Sequence, residues 1–334
     1  MNRALRRGTV LVLLCLLLFR WGCGSMFRMP GKSHDGPLPQ ATAAQQHLAG
    51  QLQRDVASLA DGIGQRNIWH SARYHRAAEL IAARFEDLGY GVSRQPFRAH
   101  DQLCLNVIAD RCGSDRRDEI VILGAHYDSL HGTVGANDNA SGVAAILAIA
   151  AAAKDLRPRR SLRLIAFANE EPPFFQTELM GSLVYARQCK LRNEHIVAMV
   201  ALDGLGCYSD QQGSQRYPFP VRWFLPSTAN FIAFVGNTRS APLVQQCIGS
   251  FRDHAQFPSE GGAVPPIVTG AGWSDHWAFW QVGYQAVLVT DTLPFRFAQY
   301  HTSADTPARI DYHRMARVVE GLTAMLVDLV NHAG

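Results

Sequence analysis

The feature that most constrains this chain is a set of four apolar, strand-like runs that each end at an acidic residue or a histidine. The runs are VILGAHYD, LIAFANEE, AMVALDG and LVTDT. In a parallel sheet flanked by helices, the carboxyl ends of the strands line one crevice, so residues far apart in sequence meet there. The acidic residues and the histidine at these breaks are therefore expected to form one site.

Segments with helical spacing of apolar residues alternate with the strand-like runs. Residues 41–63 and 71–88 carry the first two helical patterns, and further helices are predicted over 141–154 and 181–189. The run at 119–125 is continuously apolar, as is typical of a strand that is buried on both faces. Such alternation predicts an α/β fold with a largely parallel sheet and helices on both faces.

The alternation breaks between residues 207 and 270. This stretch holds many Pro, Gly and aromatic residues, which predicts an irregular insertion with one helix near 241–251. Its aromatic side chains could cover the cleft as a lid or pack as ordinary surface. The pattern resumes with AVLVT at 286–290 and ends in a helix over 312–331. The folded domain is therefore predicted to span residues 41–334.

The amino terminus has the pattern of an export signal. Three arginines within the first seven residues precede an apolar run over 9–19, which is short for a membrane-spanning helix. Residues 1–24 are predicted to be a signal peptide, with a retained membrane anchor or a lipoprotein modified at Cys23 as the alternatives. The Gly- and Pro-rich residues 25–40 are predicted to be a linker. A periplasmic or extracellular protein is expected.

Composition limits the partners and the redox chemistry. Hydrophobic residues make up 47% of the chain, and the net charge of +4 comes without a basic cluster interleaved with aromatics, so nucleic acid is not an expected partner. The cysteines beyond the leader are Cys104, Cys112, Cys189, Cys207 and Cys247. They form no C-x-x-C pair, which disfavours a cysteine zinc site. Buried thiols with one optional disulfide are predicted, and the oligomeric state is left open.

Five residues at or near the strand ends have side chains that commonly bind zinc. His126 ends the first run, and Asp138 follows within GANDNASG, where small residues suit a backbone packed over an ion. Glu171 and Asp203 end two further runs, and His301 lies in YHTSADT. A two-metal site requires a bridging carboxylate and about two further ligands for each ion. If Asp138 bridges, His126 with Asp203 and Glu171 with His301 complete a pair of ions.

Three more acidic residues have predicted places around this site. Consecutive residues that leave a strand point in different directions, so Glu171 can bind metal while Glu170 moves protons. Asp128, two residues after His126, can anchor that region beside the imidazole. Asp291 in LVTDT keeps no ligand role and is expected to shape the substrate side.

From about residue 41 to its end, the chain resembles the M28 zinc peptidases, the group of bacterial aminopeptidases with co-catalytic zinc. The matching motifs are AHYDS at 125–129, GANDNASG at 135–142, ANEE at 168–171, ALDG at 201–204, SDH at 274–276 and YHTSADT at 300–306. The resemblance implies the same five ligands for two zinc ions, Glu170 as general base and Tyr300 as a donor to the tetrahedral intermediate. It also implies a mixed eight-stranded sheet between helices, and a non-proline cis peptide between Asp138 and Asn139.

The resemblance implies hydrolysis of the N-terminal peptide bond of a peptide with a free amino terminus. The enzymatic alternatives on this fold are a single-zinc glutaminyl cyclase and a carboxypeptidase or amidohydrolase. A non-catalytic interaction domain is a further alternative, but lost ligands would be its signature, and all five are present. Unlike many relatives, this chain has PPFFQTELM before Gly181, and its Phe174 and Phe175 are expected to form part of the pocket wall.

Overall fold

The computed structural model describes residues 22, 24–219 and 221–332. The predicted signal peptide or anchor, including Cys23, lies outside the described residues except for Gly22 and Gly24. Within these ranges, none of the helices combines the length and the hydropathy that a membrane crossing requires.

Eight strands form one mixed sheet. They are β1 (Gly91–Ala99), β2 (Gln102–Arg111), β3 (Arg116–His126), β4 (Arg160–Phe167), β5 (His195–Leu202), β6 (Ile232–Asn237), β7 (Ser259–Val264) and β8 (Ala286–Thr290). Their order across the sheet is β1-β2-β4-β3-β5-β8-β6-β7. The central strands β4, β3, β5 and β8 are parallel, as are β6 and β7, whereas the β1-β2, β2-β4 and β6-β8 pairs are antiparallel. The expected eight-stranded, mixed sheet is confirmed.

Helices cover both faces of this sheet. The helices are α1 (Ala43–Ala57), α2 (Ser71–Asp87), α3 (Ser141–Ala152), α4 (Gly181–Leu191), α5 (Ala241–His254), α6 (His276–Gln281), the short α7 (Leu293–Arg296) and α8 (Tyr312–Asn331). In β3, Val121 and Leu123 pack into the core beneath α1, α2, α3, α5 and α8. Ile120 and Ile122 pack into a second core with α4 and α6. Because strand side chains alternate between faces, β3 is held from both sides and its carboxyl end is fixed in place.

The region 207–270 contains more regular structure than the sequence predicted. The elements β6, α5 and β7 lie within it, so its longer irregular stretches are about 205–231 and the turns that follow β7 from residue 265. Glycine is depleted in strands, and Gly261 and Gly262 weaken the strand pattern of β7. Their missing side chains leave space for neighbours, since a Cβ at Gly261 would lie 2.7 Å from the side chain of Met29.

The segment predicted as a linker, residues 25–40, lies along the edge strand β7. The Ala263 amide donates to the Met26 carbonyl over 3.0 Å, and the Ser259 amide donates to Ser33 Oγ over 2.8 Å. These bonds use backbone groups that an edge strand would otherwise present to solvent. The five cysteines in the described part of the chain are free thiols, so the optional disulfide is not formed.

Candidate metal centre

The strand ends meet as expected from the sequence. His126 is the last residue of β3, Glu171 lies in the turn after β4, and Asp203 directly follows β5. The loop between β3 and α3 supplies Asp138, and the loop after α7 supplies His301. The first four side chains are buried, whereas 29% of the His301 side chain is exposed. The site is therefore open to solvent on the His301 side.

Two clusters of potential ligand atoms share Asp138. The first consists of His126, Asp138 and Asp203, and the second of Asp138, Glu171 and His301. His126 Nε2 lies 3.3 Å from Asp138 Oδ1 and 3.5 Å from Asp203 Oδ1. His301 Nε2 lies 3.2 Å from Asp138 Oδ2 and 3.2 Å from Glu171 Oε2. Each cluster could hold one metal ion, with the two oxygens of Asp138 facing different clusters.

The hydrogen bonding of the first cluster fits a metal ion. Both ring nitrogens of His126 and the Oδ1 atom of Asp203 are buried without a hydrogen-bond partner among the described residues. Buried polar atoms in native proteins are normally paired, so the unpaired His126 Nε2 and Asp203 Oδ1, which lie 3.5 Å apart, require an explanation. A cation between them would supply it, because imidazole nitrogen and carboxylate oxygen are both zinc ligands.

The buried carboxyl groups at the site also favour a bound cation. Burial raises the pKa of Glu171 to about 7, and the neighbouring Asp138 carboxylate adds to the effect. Burial also raises the pKa of Glu170 well above its usual value and that of Asp203 to a smaller extent. The site thus concentrates negative charge that is costly to bury, and divalent cations would stabilise its ionised form.

Asp128 and Asp305 hold the backbone on either side of the clusters. Asp128 accepts hydrogen bonds from the Glu170 and Glu171 amides over 3.1 and 3.0 Å, and its Oδ1 lies 3.4 Å from His126 Nδ1. Asp305 accepts from the amides of Asn137 and Asp138 over 2.8 and 3.0 Å. Asp305 was not predicted as a site residue, although it lies in the YHTSADT motif. The peptide bond between Asp138 and Asn139 is cis, as the family resemblance implied.

The SDH motif also lies at this site, and its role was not predicted. Ser274, Asp275 and His276 are fully buried, and neither carboxylate oxygen of Asp275 has a hydrogen-bond partner among the described residues. Burial raises the pKa of Asp275 to about 7 against the opposing charge of His126, while Asp203 contributes repulsion. Asp275 therefore belongs to the charged surroundings of the first cluster.

An apolar cavity of about 110 Å³ adjoins the metal centre. Asp203 and Tyr300 belong to its lining, and the Tyr300 ring stacks on that of His301 with 3.7 Å between centroids. Tyr217 and Leu225, from the irregular region after β5, also line the cavity, which places this region beside the cleft.

Two predictions for the substrate side were wrong. Phe174 is buried in the hydrophobic core, and neither it nor Phe175 lines the cavity, because the turn after Glu171 folds inward. Asp291 is also fully buried. It accepts hydrogen bonds from Asn137 Nδ2 and the Cys207 amide over 3.0 and 2.7 Å, so it ties two loops together behind the site.

Comparisons with known proteins agree with this geometry. A family model described as Peptidase family M28 matches residues 106–326 of the chain. The uncharacterized protein YfbL of Escherichia coli (strain K12) is 34% identical over 285 residues, which cover 83% of this chain and 87% of YfbL.

Solved structures share the fold. BSAP, a zinc aminopeptidase from Bacillus subtilis, matches with a TM-score of 0.67 and 15% identity, over 86% of this chain and 96% of BSAP. A glutaminyl cyclase from Bacteroides thetaiotaomicron matches with a TM-score of 0.64 and 17% identity, over 89% of this chain and 100% of the cyclase. At such identities the likeness shows the fold alone, and the fold does not separate hydrolysis from cyclisation.

Proposed function

Because the chain belongs to peptidase family M28, we propose that it is a zinc aminopeptidase that removes the first residue of a peptide with a free amino terminus. The observation that carries this proposal is the pair of ligand clusters that share Asp138. Two ions held by one bridging carboxylate are a recurring arrangement in metal-dependent aminopeptidases.

The proposed ligand assignment follows the two clusters. His126 and Asp203 would hold one zinc ion and Glu171 and His301 the other, with Asp138 available to both. When bound, the ions polarise the scissile carbonyl as Lewis acids and lower the pKa of water in the site. Nitrogen and oxygen ligands favour zinc, and cobalt or manganese could occupy the same set.

The protein supplies the proton transfers. Glu170 belongs to neither cluster, and its Oε2 atom lies 3.8 Å from His126 Nε2, so its carboxylate is beside the ligands without being one of them. In the proposed mechanism Glu170 takes a proton from the attacking water and passes it to the leaving amine. The Tyr300 hydroxyl donates to the oxyanion, and Asp128 holds the backbone that carries both glutamates.

The test combines metal analysis with defined substrates. We expect two zinc ions per chain and hydrolysis of aminoacyl p-nitroanilides that is abolished by a chelator and restored by zinc. Acetylation of the substrate amine should prevent cleavage. Turnover of the acetylated substrates would instead indicate a carboxypeptidase or amidohydrolase. One zinc ion per chain, with cyclisation of N-terminal glutamine, would indicate a glutaminyl cyclase.

We also propose that residues 1–24 direct export of the protein. The support is the sequence pattern of arginines followed by a short apolar run. Fractionation of cells that express the full chain should place the peptidase activity outside the cytoplasm, and deletion of residues 1–24 should retain it inside. Activity in the membrane fraction would indicate an uncleaved anchor or a lipid on Cys23.

A further inference from the structure

The apolar cavity beside the metal centre carries an inference about the substrate side chain. The cavity extends from Asp203 across β8 and β6 to the edge strand β7. On β7 its lining includes Glu260, and this is the second carboxylate beside Asp203 in an otherwise uncharged lining. Within the described residues, no Lys, Arg or His side chain contributes to the lining.

Strand register places Glu260 opposite the metal centre. The Asp203 amide donates to the Val289 carbonyl, Thr290 pairs with Ala233, and Ala233 pairs with Glu260. Asp203 and Glu260 are thus separated by three strand spacings, or about 14 Å between backbones at about 4.8 Å per strand. Both residues belong to the lining of the apolar cavity, which extends along this span.

Glu260 has no direct partner within the described part of the chain. Burial raises the pKa of its carboxyl, and Arg252 opposes this shift through its charge. The Arg252 guanidinium, however, donates to Ser259 Oγ, to the Ser259 carbonyl and to the Pro30 carbonyl, and it forms no ion pair with Glu260 within 4.0 Å. Glu260 is half-buried, and a cation that entered the cavity could pair with its carboxylate.

The amino-terminal segment closes the cavity near Glu260. Phe27 belongs to the lining, stacks on Phe224 with 5.4 Å between ring centroids, and would lie 3.0 Å from a Cβ at Gly262. The walls beside Glu260 are therefore apolar. They suit the methylene stem of a long side chain.

We propose that this cavity binds the side chain of the substrate's first residue and that Glu260 selects lysine or arginine there. The inference rests on the proposed aminopeptidase function. Both side chains have an apolar stem that can lie along the cavity walls and a cationic end that can pair with Glu260. A short side chain would leave the carboxylate unpaired, and an acidic one would repel it.

The test compares lysine with norleucine, which has the same straight stem without the ammonium group. Wild-type protein should show a kcat/KM for lysyl p-nitroanilide about 10- to 100-fold above that for the norleucyl substrate, as expected for a hydrogen bond to a charged group. Glu260→Gln should remove this preference by slowing lysine turnover while norleucine turnover stays within about 2-fold. Asp253→Asn, which removes a charge from an exposed position on α5, should leave the ratio unchanged.

A binding measurement separates this inference from the proposed function. Calorimetry on the zinc-loaded protein should show tighter binding of free lysine than of norleucine. In the Glu260→Gln variant the two dissociation constants should be equal. If no free-amine substrate is cleaved, the aminopeptidase proposal fails while the binding ratio still decides the role of Glu260. The inference would be overturned if the wild type had the same kcat/KM and the same affinity for the lysine and norleucine compounds. It would also be overturned if Glu260→Gln changed these values equally for both.

Discussion

Glu170 and Glu171 are neighbours in the chain, yet their carboxylates have different surroundings. Glu171 Oε2 faces His301, and its Oε1 accepts a hydrogen bond from the Leu130 amide over 3.0 Å. Glu170 Oε2 faces His126 from 3.8 Å, and its side chain makes no hydrogen bond within the described part of the chain. At the scale of single residues, the first carboxylate is held in place and the second is left available for proton transfer.

Replacement of Glu170 by glutamine is expected to separate metal binding from catalysis. The variant keeps all five proposed ligands, so zinc content should stay at two ions per chain. It cannot accept a proton, so kcat should fall by about 10²- to 10⁴-fold. The measurements are metal analysis and steady-state hydrolysis, with the exposed Glu178→Gln as the matched control. Wild-type turnover by Glu170→Gln would remove the residue from the mechanism.

Asp128 is expected to act as a positioning residue rather than to touch the substrate. Asp128→Asn keeps an acceptor for only one of the Glu170 and Glu171 amides, which donate to different oxygens, and it loses the charge beside His126. Loss of such an outer contact typically lowers metal affinity or activity by 10- to 100-fold. Zinc titration of the metal-free variant should show weakened binding, and added zinc should restore part of the activity. An unchanged zinc affinity would contradict this role.

The residues of the candidate metal centre could be predicted from the sequence where they lie in or beside a recognisable motif. His126, Asp138 and Asp203 each follow an apolar run or lie within a glycine-rich loop, and sheet topology brings such positions together. Asp305 and Asp275 could not be predicted as site residues from the sequence. Their functions depend on backbone amides and on neighbouring charges that only the folded chain supplies.

At the scale of elements, a buried arginine makes several hydrogen bonds to the loop between β3 and α3. The Arg66 guanidinium donates to the carbonyls of Tyr127, Val134 and Gly135 over 2.7 to 2.9 Å. It also donates to two carbonyls of the turn that follows α1. Arg66 thus connects the amino-terminal helix to the loop that leads to Asp138.

Arg66→Lys is expected to destabilise the protein although it conserves the charge. A lysine ammonium is a point donor and cannot reproduce the planar set of guanidinium bonds, so buried carbonyls lose their partners. We expect a loss of about 2–4 kcal/mol in the free energy of unfolding by urea. Arg76→Lys on the exposed surface of α2 is the control. If the two variants were equally stable, Arg66 would not hold the loop.

The elements themselves were predicted with uneven success for identifiable reasons. The helix over 312–331 was placed at its observed bounds, since its apolar residues are strictly periodic and Asp311 caps its first turn. The edge strand β7 was missed because SEGGAV has only one β-branched residue, Val264, and no aromatic residue to mark a strand. Its glycines serve the packing of the amino-terminal segment, which is a long-range contact that no local pattern shows.

At the scale of the whole molecule, the buried carboxyl groups of the candidate metal centre are expected to oppose folding unless cations are bound. Seven buried carboxyl side chains lie in it or beside it: Asp128, Asp138, Glu170, Glu171, Asp203, Asp275 and Asp305. Ions that bind only the folded state stabilise it by mass action. Removal of zinc by a chelator should therefore lower Tm by roughly 10 °C, if the free zinc concentration is about 1,000 times Kd.

The dependence of this stabilisation on pH has a definite sign. In the metal-free protein, burial raises the pKa of Glu171 and that of Asp275 to about 7, whereas carboxyls in the unfolded chain titrate near about 4. The stability that these groups contribute is complete below pH of about 4 and is lost as the pH rises toward 7. Against the opposing effect of burial, hydrogen bonds with Asp138 and Glu171 raise the pKa of His301 to about 10, so its contribution is also lost with rising pH.

We therefore expect the Tm of the chelated protein to fall between pH 5 and pH 8 and that of the zinc-loaded protein to change less. Zinc binds the ionised carboxylates and the neutral imidazoles, so loading becomes stronger over the same range. Burial raises the pKa of Asp138, but the nearby imidazoles of His126 and His301 lower it overall, and this effect acts only in more acidic solution. Differential scanning fluorimetry of both forms across this range measures the difference. A Tm gap that stayed constant or narrowed toward pH 8 would mean that the buried carboxylates are not where zinc binds.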